Sequence, residues 1–448
     1  MVSKQQIEYL VRRRDFSLTD AQVDMKSTML LADIYNRRFD FSLYKREVFT
    51  QQGKKRVVFS YSKLSCEDIL CQYLKKQMDS VFNVKYASRR RIMNILFNIL
   101  PVVKDMNDFV IIRADFKSFF DSVLVKHVYD NYIQNSVLKR YDKELLELYT
   151  NEFKYCYAGL CLSNGMTEIV CRDFDERIKA KLSQHGIFFY ERYVDDILLI
   201  MNKYISKDKF LKLIDSTIHE VFGDSPVKLA TSPGKFSYIA KRNMIANPSE
   251  VISFLGYEFE LNFKINNRGR DEITFKYGIT EKKRRKYSGI IERAIIQYSK
   301  DKNEELLRQR IKIYSSRVVI GRTIGGHTFD WLTKGIVANY NELQYHIDAL
   351  IPTTEKFLKD LYTDLMNKHN LKIMPYFLKQ ASNRESIYNM FSTMKRNRSI
   401  VFQYNIGVSR STLIKWLKKL EPSYSGSGDS YYSILVKYLE TIKSVPPA

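Results

Sequence analysis

Three aspartates in this chain lie at the ends of strand-like apolar runs. Asp115 closely follows the run Phe109–Ile112, and Asp195 and Asp196 stand between two further runs. Carboxylates that converge at strand ends offer the oxygen ligands that Mg²⁺ prefers. Two such ions about 3.5–4 Å apart activate an attacking oxygen and stabilise a leaving pyrophosphate. The pattern predicts phosphoryl-transfer chemistry, whereas an Asp-Asp pair taken alone more often forms only a turn.

Strands must hold these aspartates together. The run 109–112 predicts a buried strand that leads to Asp115. The stretch 187–201 predicts two strands joined by a tight hairpin, with the Asp-Asp pair at its tip. Helices are predicted ahead of the first strand, where Ser65 and Ser88 stand at N-cap positions.

The sequence around these aspartates resembles the conserved blocks of reverse transcriptases. Tyr193–Asp196 resembles their Y-x-D-D signature, and Asp115–Ser122 resembles their first catalytic block. The resemblance covers about residues 40–265, in the family's order and spacing. The other matching positions are the G-x-x-x-S core of the second block, a basic palm residue and the F-L-G-Y primer-grip hairpin: Gly159–Ser163, Lys235, and Phe254, Leu255, Gly256 and Tyr257.

This resemblance implies a site for two Mg²⁺ ions, or for Mn²⁺ in their place. Asp115 and Asp195 would be the metal ligands, and Asp196 would assist them. The backbone carbonyl of Phe116 would help to hold the second ion. Lys235 would protonate pyrophosphate, although a lysine at a protein surface more commonly has no such role.

The resemblance also implies a nucleotide site. The family places a bulky ring under the sugar five residues after the first catalytic Asp, which is Phe120 here. Such a ring clashes with a 2′-hydroxyl and selects dNTPs over NTPs, unless neighbouring Phe119 fills that position. An arginine guanidinium binds phosphate well, which favours a triphosphate site. The alternative is that these cations lie on an ordinary solvated helix face, which would be equally basic. The remaining nucleotide-binding candidates are three cations of the fingers-like region and the glycine of the second block: Lys55, Arg89, Arg91 and Gly159.

Tyr157-Ala158 departs from the family, which usually has Pro-Gln before this glycine. That Gln lies against the incoming nucleotide and the template, so its loss puts ordinary template reading in doubt. A substituted second block is familiar among bacterial abortive-infection and defence-associated reverse transcriptases. The chain resembles this group, and most nearly a polymerase of a two-enzyme, type 3 defence system, in several local motifs: Ser88–Ile92, Thr167–Ile169, Arg172–Asp175 and Phe189–Tyr193.

Resemblance to this group implies antiphage defence. The chain would make DNA from dNTPs, templated by an associated small non-coding RNA and acting with a second reverse transcriptase or as a homo-oligomer. One alternative is template-independent synthesis primed by the protein's own tyrosine. Tyr424, Tyr431 and Tyr432, in or beside a Ser/Gly-rich segment, are candidate primers. Another alternative is a non-catalytic nucleic-acid-binding protein with a degenerate polymerase fold.

The composition favours a polyanion as the partner. The 448 residues include 73 Lys or Arg and 50 Asp or Glu, which gives a net charge of +23. Nucleic acid is the first candidate partner, and an anionic lipid surface is the second. No apolar run approaches the roughly 18 residues that span a bilayer, so we expect a cytoplasmic protein without a membrane anchor. The five cysteines lack a CxxC pair, which favours free thiols.

We expect an α+β chain with the right-hand arrangement of polymerases. An N-terminal helical segment at 1–50 would precede the fingers and palm at 51–277, which would contain an antiparallel sheet. A helical thumb-like domain would follow at 278–421, and a flexible linker with a terminal helix at 422–448.

Nucleic-acid contacts are predicted at the primer grip and at the start of the thumb. The start of the thumb carries a run of basic residues: Lys282, Lys283, Arg284, Arg285 and Lys286. A charge run alone favours a solvated helix end, and the adjoining polymerase motifs favour backbone phosphates. The segment 406–417 resembles the turn and second helix of a helix-turn-helix, with Ser409 as the cap. An amphipathic packing helix is the alternative there.

Overall fold

The structure is a computed structural model that describes residues 2–15, 18–51, 54–324, 327–330, 335–371, 379–380, 383–387 and 389–443. The chain divides into two units, Met1–Pro248 and Ser249–Ala448. This division falls before the strands of residues 249–279, whereas the sequence analysis places its boundary after them, near residue 278.

Helices of the first unit begin where short polar side chains cap them. Ser3 and Thr19 form capping boxes with Gln6 and Gln22. The predicted caps Ser65 and Ser88 each accept a backbone N–H bond from the third helical residue. The helices are α1 (Lys4–Arg14), α2 (Asp20–Tyr35), α3 (Cys66–Val81), α4 (Arg89–Val103), α5 (Val125–Val128), α6 (Arg140–Glu152), α7 (Cys161–Leu182) and α8 (Lys207–Phe222).

The strands of the first unit form a hairpin and a four-stranded sheet. They are β1 (Lys45–Gln51), β2 (Lys54–Ser60), β3 (Val110–Asp115), β4 (Ile187–Tyr193), β5 (Asp196–Met201) and β6 (Ser237–Ala240). β1 pairs with β2, and the sheet has the antiparallel order β4-β5-β3-β6. The expectation of helix throughout 1–50 is wrong at its end, because residues from Lys45 onward pair with β2.

One face of the four-stranded sheet packs against helices. Ile112 and Ala114 on β3, together with Ile197 and Leu199 on β5, belong to the large core of this unit. Strand alternation places Asp115 on the other face, because its neighbour Ala114 points into this core. Beyond β3, ring contacts join Phe116 to an aromatic ring of α7 and one of α8.

The second unit mixes helices and strands. The strands are β7 (Ser249–Phe254), β8 (Tyr257–Ile265), β9 (Asp271–Ile279), β10 (Arg317–Ile324), β11 (His327–Asp330), β12 (Lys379–Gln380), β13 (Asn383–Ile387) and β14 (Ser399–Phe402). The helices are α9 (Glu281–Asp301), α10 (Glu304–Tyr314), α11 (Ile336–Asn339), α12 (Pro352–Lys368), α13 (Met390–Lys395), α14 (Arg410–Leu420) and α15 (Tyr431–Lys443). β7, β8 and β9 form an antiparallel sheet, and β10 pairs with β11 and, in parallel, with β14.

These strands correct the expectation of an all-helical segment from 278 to 421. Val318 and Phe402, on β10 and β14, are buried in the core that α14 and α15 complete. The pattern misleads because Val318–Ile320 and Ile400–Phe402 are short continuous apolar runs, which periodicity cannot distinguish from part of a buried helix. At the level of fold class, helices with mainly antiparallel sheets are present as expected.

The segment 406–417 is not a helix-turn-helix. Ser409 caps α14 as predicted, and Leu413 and Leu417 are buried. The residues before the turn, however, form the strand β14 instead of a first helix. The segment therefore corresponds to the alternative, a packing helix.

Hydrogen bonds are made to the Ser/Gly-rich segment before α15, which the composition predicts to be a flexible linker. The Arg410 guanidinium donates to the carbonyls of Gly426 and Asp429, and the Tyr424 hydroxyl donates to the Asp429 carboxylate. Tyr424 and Tyr431, two of the three candidate primers, are buried. None of the helices in the described ranges combines bilayer-spanning length with an apolar composition.

Candidate active site

The Tyr-Val-Asp-Asp sequence forms the predicted hairpin. Tyr193 at the end of β4 pairs with Asp196 at the start of β5, and Val194 and Asp195 form the turn between them. Val194 has φ +61°, a left-handed conformation that is costly for a β-branched residue. Such strain persists only where the surrounding structure holds it in place, and it is concentrated at functional sites.

Strand β3 brings the third aspartate beside this turn. Asp115 is the cross-strand partner of Asp196. The Phe116 amide donates a 3.1 Å hydrogen bond to the Asp195 carbonyl, and the Asp115 carbonyl accepts one from Ala230. The three aspartates predicted from the sequence therefore converge at one end of the sheet.

Two cations neutralise part of this acidic cluster. Arg113 holds Asp196 through two bonds, of 2.8 Å from Nε and 3.2 Å from Nη2. Lys235 forms an ion pair with Asp115, so the predicted palm lysine does lie at the site. The sequence analysis missed Arg113, although its position two residues before Asp115 on a strand places both side chains on the same face.

Asp195 differs from the other two aspartates, because no cation forms an ion pair with it among the described residues. Burial, followed by the negative charge of Asp115, raises the pKa of Asp195 to about 6. Burial also raises the pKa of Asp196, against the opposing effect of Arg113. A positive charge beside Asp195 would relieve this cost.

The residues present are suited to a hard divalent cation. Asp115, Asp195 and the Phe116 carbonyl offer oxygen ligands, and Lys235 shows that Asp115 accepts a positive charge. Asp196 is already held by Arg113 and is better suited to support than to ligation. In the described residues, no three acidic, His or Cys side chains are already arranged around an ion position.

A buried arginine supports the turn from the helical side of the sheet. The Arg192 guanidinium donates to Asp175 at 3.0 Å, to Glu168 at 2.8 Å and to the Val194 carbonyl at 2.9 Å. The Tyr190 hydroxyl donates to the same Asp175 at 2.7 Å. Arg192 is 8% exposed, so its charge depends on these partners. Two acids of α7 therefore fix the strained turn through one side chain.

The sequence analysis quoted these residues only as a likeness to one group of reverse transcriptases. A physical signal was nevertheless present. Glu168 and Asp175 are seven residues apart, which places them on one face of a helix. Tyr190 and Arg192 are two residues apart on β4, so their side chains lie on the same face of the strand. The sequence does not show, however, that the pair on the helix and the pair on the strand contact each other.

The aromatic pair after Asp115 is divided between core and surface. Phe119 is buried, and its ring stacks on Phe116 with a centroid distance of 5.0 Å. Phe120 is half-buried and contacts Phe119 edge-on. Of the two rings proposed for sugar selection, Phe120 is the one with a partly exposed face.

Gly159 has a structural reason to be glycine. Its φ is +99°, and a Cβ there would lie 2.4 Å from the Phe59 carbonyl oxygen. The Phe59 amide also donates to the Ala158 carbonyl, and the Tyr157 ring stacks on the Phe59 ring. The glycine thus lets the second block pack against β2, independently of any nucleotide.

The cations predicted for the triphosphate lie at different distances from the aspartates. Arg91 forms a 3.3 Å ion pair with Glu191, which lies two residues before Tyr193, the cross-strand partner of Asp196. Two strand residues span about 7 Å, so Arg91 reaches the neighbourhood of the site. Arg89 lies in the first turn of α4, and Lys55 is exposed on β2.

The primer-grip sequence forms a tight hairpin in the second unit. Leu255 and Gly256, both with positive φ, join β7 to β8. The side chains of Phe254 and Tyr257 are buried, and the Tyr257 hydroxyl bonds the buried Glu342. Of these four primer-grip residues, Leu255 and Gly256 at the turn are the two that are partly exposed and could contact a nucleic-acid strand.

The basic run of α9 also contains both residues with structural contacts and residues that are exposed. Arg284 pairs with Glu258 and donates to the Ile279 carbonyl, so it ties α9 to the sheet. Arg285 pairs with Glu281 on its own helix. Lys282, Arg285 and Lys286 are exposed, and Lys283 is half-buried.

Comparison with known proteins gives little similarity. No protein-family model and no curated protein sequence matches the chain. An apo telomerase from Candida tropicalis, truncated from its C-terminal domain, is 15% identical with a TM-score of 0.35, over 50% of this chain and 53% of that one. A telomerase from Candida albicans with a telomeric RNA fragment is 11% identical with a TM-score of 0.37, over 89% of this chain and 59% of that one. The chain thus spans less than two thirds of either protein, and similarity at this level assigns no function.

Proposed function

We propose that this chain is a metal-dependent DNA polymerase of the reverse-transcriptase type. The observation that supports this most strongly is the meeting of Asp115 with the strained Val194–Asp195 turn, through the Phe116 to Asp195 backbone bond. Phosphoryl transfer depends on positioning and on stabilisation of charge, and this arrangement offers both.

The chain's own residues have distinct roles in this proposal. Asp115, Asp195 and the Phe116 carbonyl would hold Mg²⁺, and the ion would supply activation of the attacking 3′-oxygen and stabilisation of the pyrophosphate. Arg113 fixes Asp196 and so keeps the start of β5 in register with β3. Lys235, beside Asp115, is positioned to give a proton or a charge contact to pyrophosphate.

The nucleotide lies against Phe120 and the cations near Glu191 in this proposal. The partly exposed Phe120 ring excludes a 2′-hydroxyl and so selects dNTPs. Arg91 leaves its exposed ion pair with Glu191 and binds the triphosphate instead. A guanidinium group can make this contact in a bidentate manner. Arg89 and Lys55 are further candidates for the same contacts.

The finer proposal is antiphage defence with a small non-coding RNA as the template, acting with a second reverse transcriptase or as a homo-oligomer. It is supported by the local motifs quoted above and by the net charge of +23, which suits an RNA partner. Protein-primed synthesis remains the second mode. The burial of Tyr424 and Tyr431 argues against either as the primer in this conformation.

The test uses the purified full-length chain with Mg²⁺ and each labelled dNTP, without added template or primer. Half of each sample is treated with RNase beforehand and half with protease afterwards, and EDTA serves as the control. We expect an EDTA-sensitive, RNase-sensitive DNA product. An RNase-resistant product whose gel mobility changes after protease treatment would instead indicate protein priming. No product, with nucleic-acid binding intact, would support the non-catalytic alternative.

A further inference from the structure

The second unit contains a cavity of about 450 Å³ between α10 and β14. Three of its lining residues are cations, Arg308 and Lys312 from α10 and Arg398 from the residue before β14. No acidic side chain is among the residues that line it. The spacing of Arg308 and Lys312, four residues apart on one helix, directs both side chains to the same face.

The positive charge of this cavity is only partly neutralised. Glu305 pairs with Arg308 at 2.6 Å and also accepts a bond from Gln309, so its oxygens are occupied. Within the described ranges, no carboxylate pairs with Lys312 or Arg398. The Lys312 ammonium lies 3.8 Å from the centre of the Trp416 ring. Burial, followed by the charge of Arg308, lowers the pKa of Lys312.

Polar and apolar groups complete the walls. Ser316 is 7% exposed and lines the cavity. Ser399 adds a second hydroxyl, and Ile311 and Ile400 provide apolar surface. The lining thus combines cations and hydroxyl donors with a small apolar wall.

We propose that this cavity binds a phosphate monoester attached to a group of nucleotide size. Phosphate oxygens accept the charge-assisted bonds that Arg398, Lys312 and the serine hydroxyls can donate. The isoleucines contact the organic part. The volume is at the lower end of the roughly 300–1,000 Å³ of ligand sites, which suits one nucleotide. Its source is either a free mononucleotide or the 5′-phosphorylated end of a strand.

Trp416 provides a direct signal for this site. The chain has two tryptophans, so Trp331→Phe leaves Trp416 as the single reporter. In EDTA, which keeps metal-dependent nucleotides from the aspartate site, this variant is titrated with 5′-AMP, inorganic phosphate, and an oligonucleotide with and without a 5′-phosphate. We expect saturable quenching or a spectral shift with 5′-AMP or with the 5′-phosphorylated strand, because an anion draws Lys312 away from the ring.

Matched variants identify the residues responsible. Arg398→Ala, which leaves the contact of Lys312 with the Trp416 ring in place, should weaken binding about tenfold or more, as expected for the loss of a charged hydrogen bond. Arg396→Ala is the control, because it removes the same charge from an exposed position outside the cavity. Binding by 5′-AMP identifies the free nucleotide as the source, and binding only by the phosphorylated strand identifies the strand end. No saturable change, equal binding of inorganic phosphate, or equal loss with Arg396→Ala would overturn the proposal.

Discussion

Arg192 shows how one residue couples the helical core to the aspartate turn. Its guanidinium contacts Glu168, Asp175 and the Val194 carbonyl, and it is almost fully buried. A buried charge of this kind is costly unless every partner remains in place. The left-handed conformation of Val194 depends on the same contact, so stability and geometry are linked at this residue.

Arg192→Met should destabilise the first unit strongly. Removing one partner of a buried ion pair costs about 3–5 kcal/mol, because Glu168 and Asp175 are left buried without compensation. Urea unfolding measures the loss. The control is Arg91→Met, which breaks the exposed pair with Glu191 and should cost less than about 1 kcal/mol. Equal losses in the two variants would show that the Arg192 network does not stabilise the fold.

Phe120→Ala should admit ribonucleotides. The partly exposed ring is the part of the site that meets a 2′-hydroxyl in our proposal, and removing such bulk changes discrimination by about tenfold or more. The ratio of dNTP to NTP incorporation measures it. Phe120→Tyr keeps the ring and should keep the selectivity. An unchanged ratio in Phe120→Ala would place sugar selection elsewhere.

At the scale of single residues, the sequence predicts which carboxylates come together better than it predicts which cations contact them. Asp115, Asp195 and Asp196 were found because strand ends bring carboxylates together, and the structure places them as expected. The contacts of Arg113 and Arg192 were missed because their carboxylate partners lie on other elements, as far as 83 and 24 residues away. A local pattern can place such side chains on one face of an element, but the pairing between elements depends on the fold.

Among the elements, α9 shows that a basic run need not act as one surface. Arg284 is committed to Glu258 and the Ile279 carbonyl, while Lys282 and Lys286 face solvent. A run of like charge therefore contains residues with structural roles and residues that are exposed to solvent. The sequence alone gave all five the same role.

The double variant Lys282→Glu and Lys286→Glu should weaken nucleic-acid binding and flatten its salt dependence by about two in the log–log slope. Each lost phosphate contact removes about one released counterion. Fluorescence anisotropy at several salt concentrations measures both quantities. Arg284→Met is the comparison, and it should lower the melting temperature because Glu258 loses its partner. An unaltered slope in the double variant would exclude α9 from the interface.

Element prediction succeeded where local rules act and failed where packing decides. The caps at Ser65, Ser88 and Ser409 were predicted because a short polar side chain satisfies free N–H groups locally. β10 and β14 were missed because each contains a short continuous apolar run, whose pattern resembles that of a buried helix. Arg410 donates a hydrogen bond to the Asp429 carbonyl, a contact that the composition of the Ser/Gly-rich segment does not predict.

At the scale of the whole molecule, the net charge of +23 is the dominant property. A large net positive charge keeps a protein soluble, and it also attracts the protein to any polyanion. Nucleic acid and anionic membranes both present many negative charges. Binding assays with each partner separately distinguish the two. Each of the two units has basic residues of its own.

The full chain should bind RNA and DNA with steep salt dependence. A protein with 6–10 phosphate contacts loses on the order of a thousandfold in affinity or more between about 50 mM and 200 mM salt. Filter binding measures this, and flotation with anionic vesicles tests the lipid alternative. We expect no flotation. Salt-independent nucleic-acid binding, or flotation with vesicles, would contradict the assignment of the charge to nucleic acid.

The most direct test of the central claim is Asp195→Asn in the dNTP incorporation assay. The account predicts that incorporation falls at least about a thousandfold, because a carboxylate beside the transferred phosphate is lost. It also predicts a melting temperature in EDTA no lower than that of the wild type, because the substitution removes a buried charge that no cation pairs with in the described residues. The exposed Asp224→Asn serves as the control. Incorporation at the wild-type rate by folded Asp195→Asn would contradict the claim that these aspartates form a polymerase site.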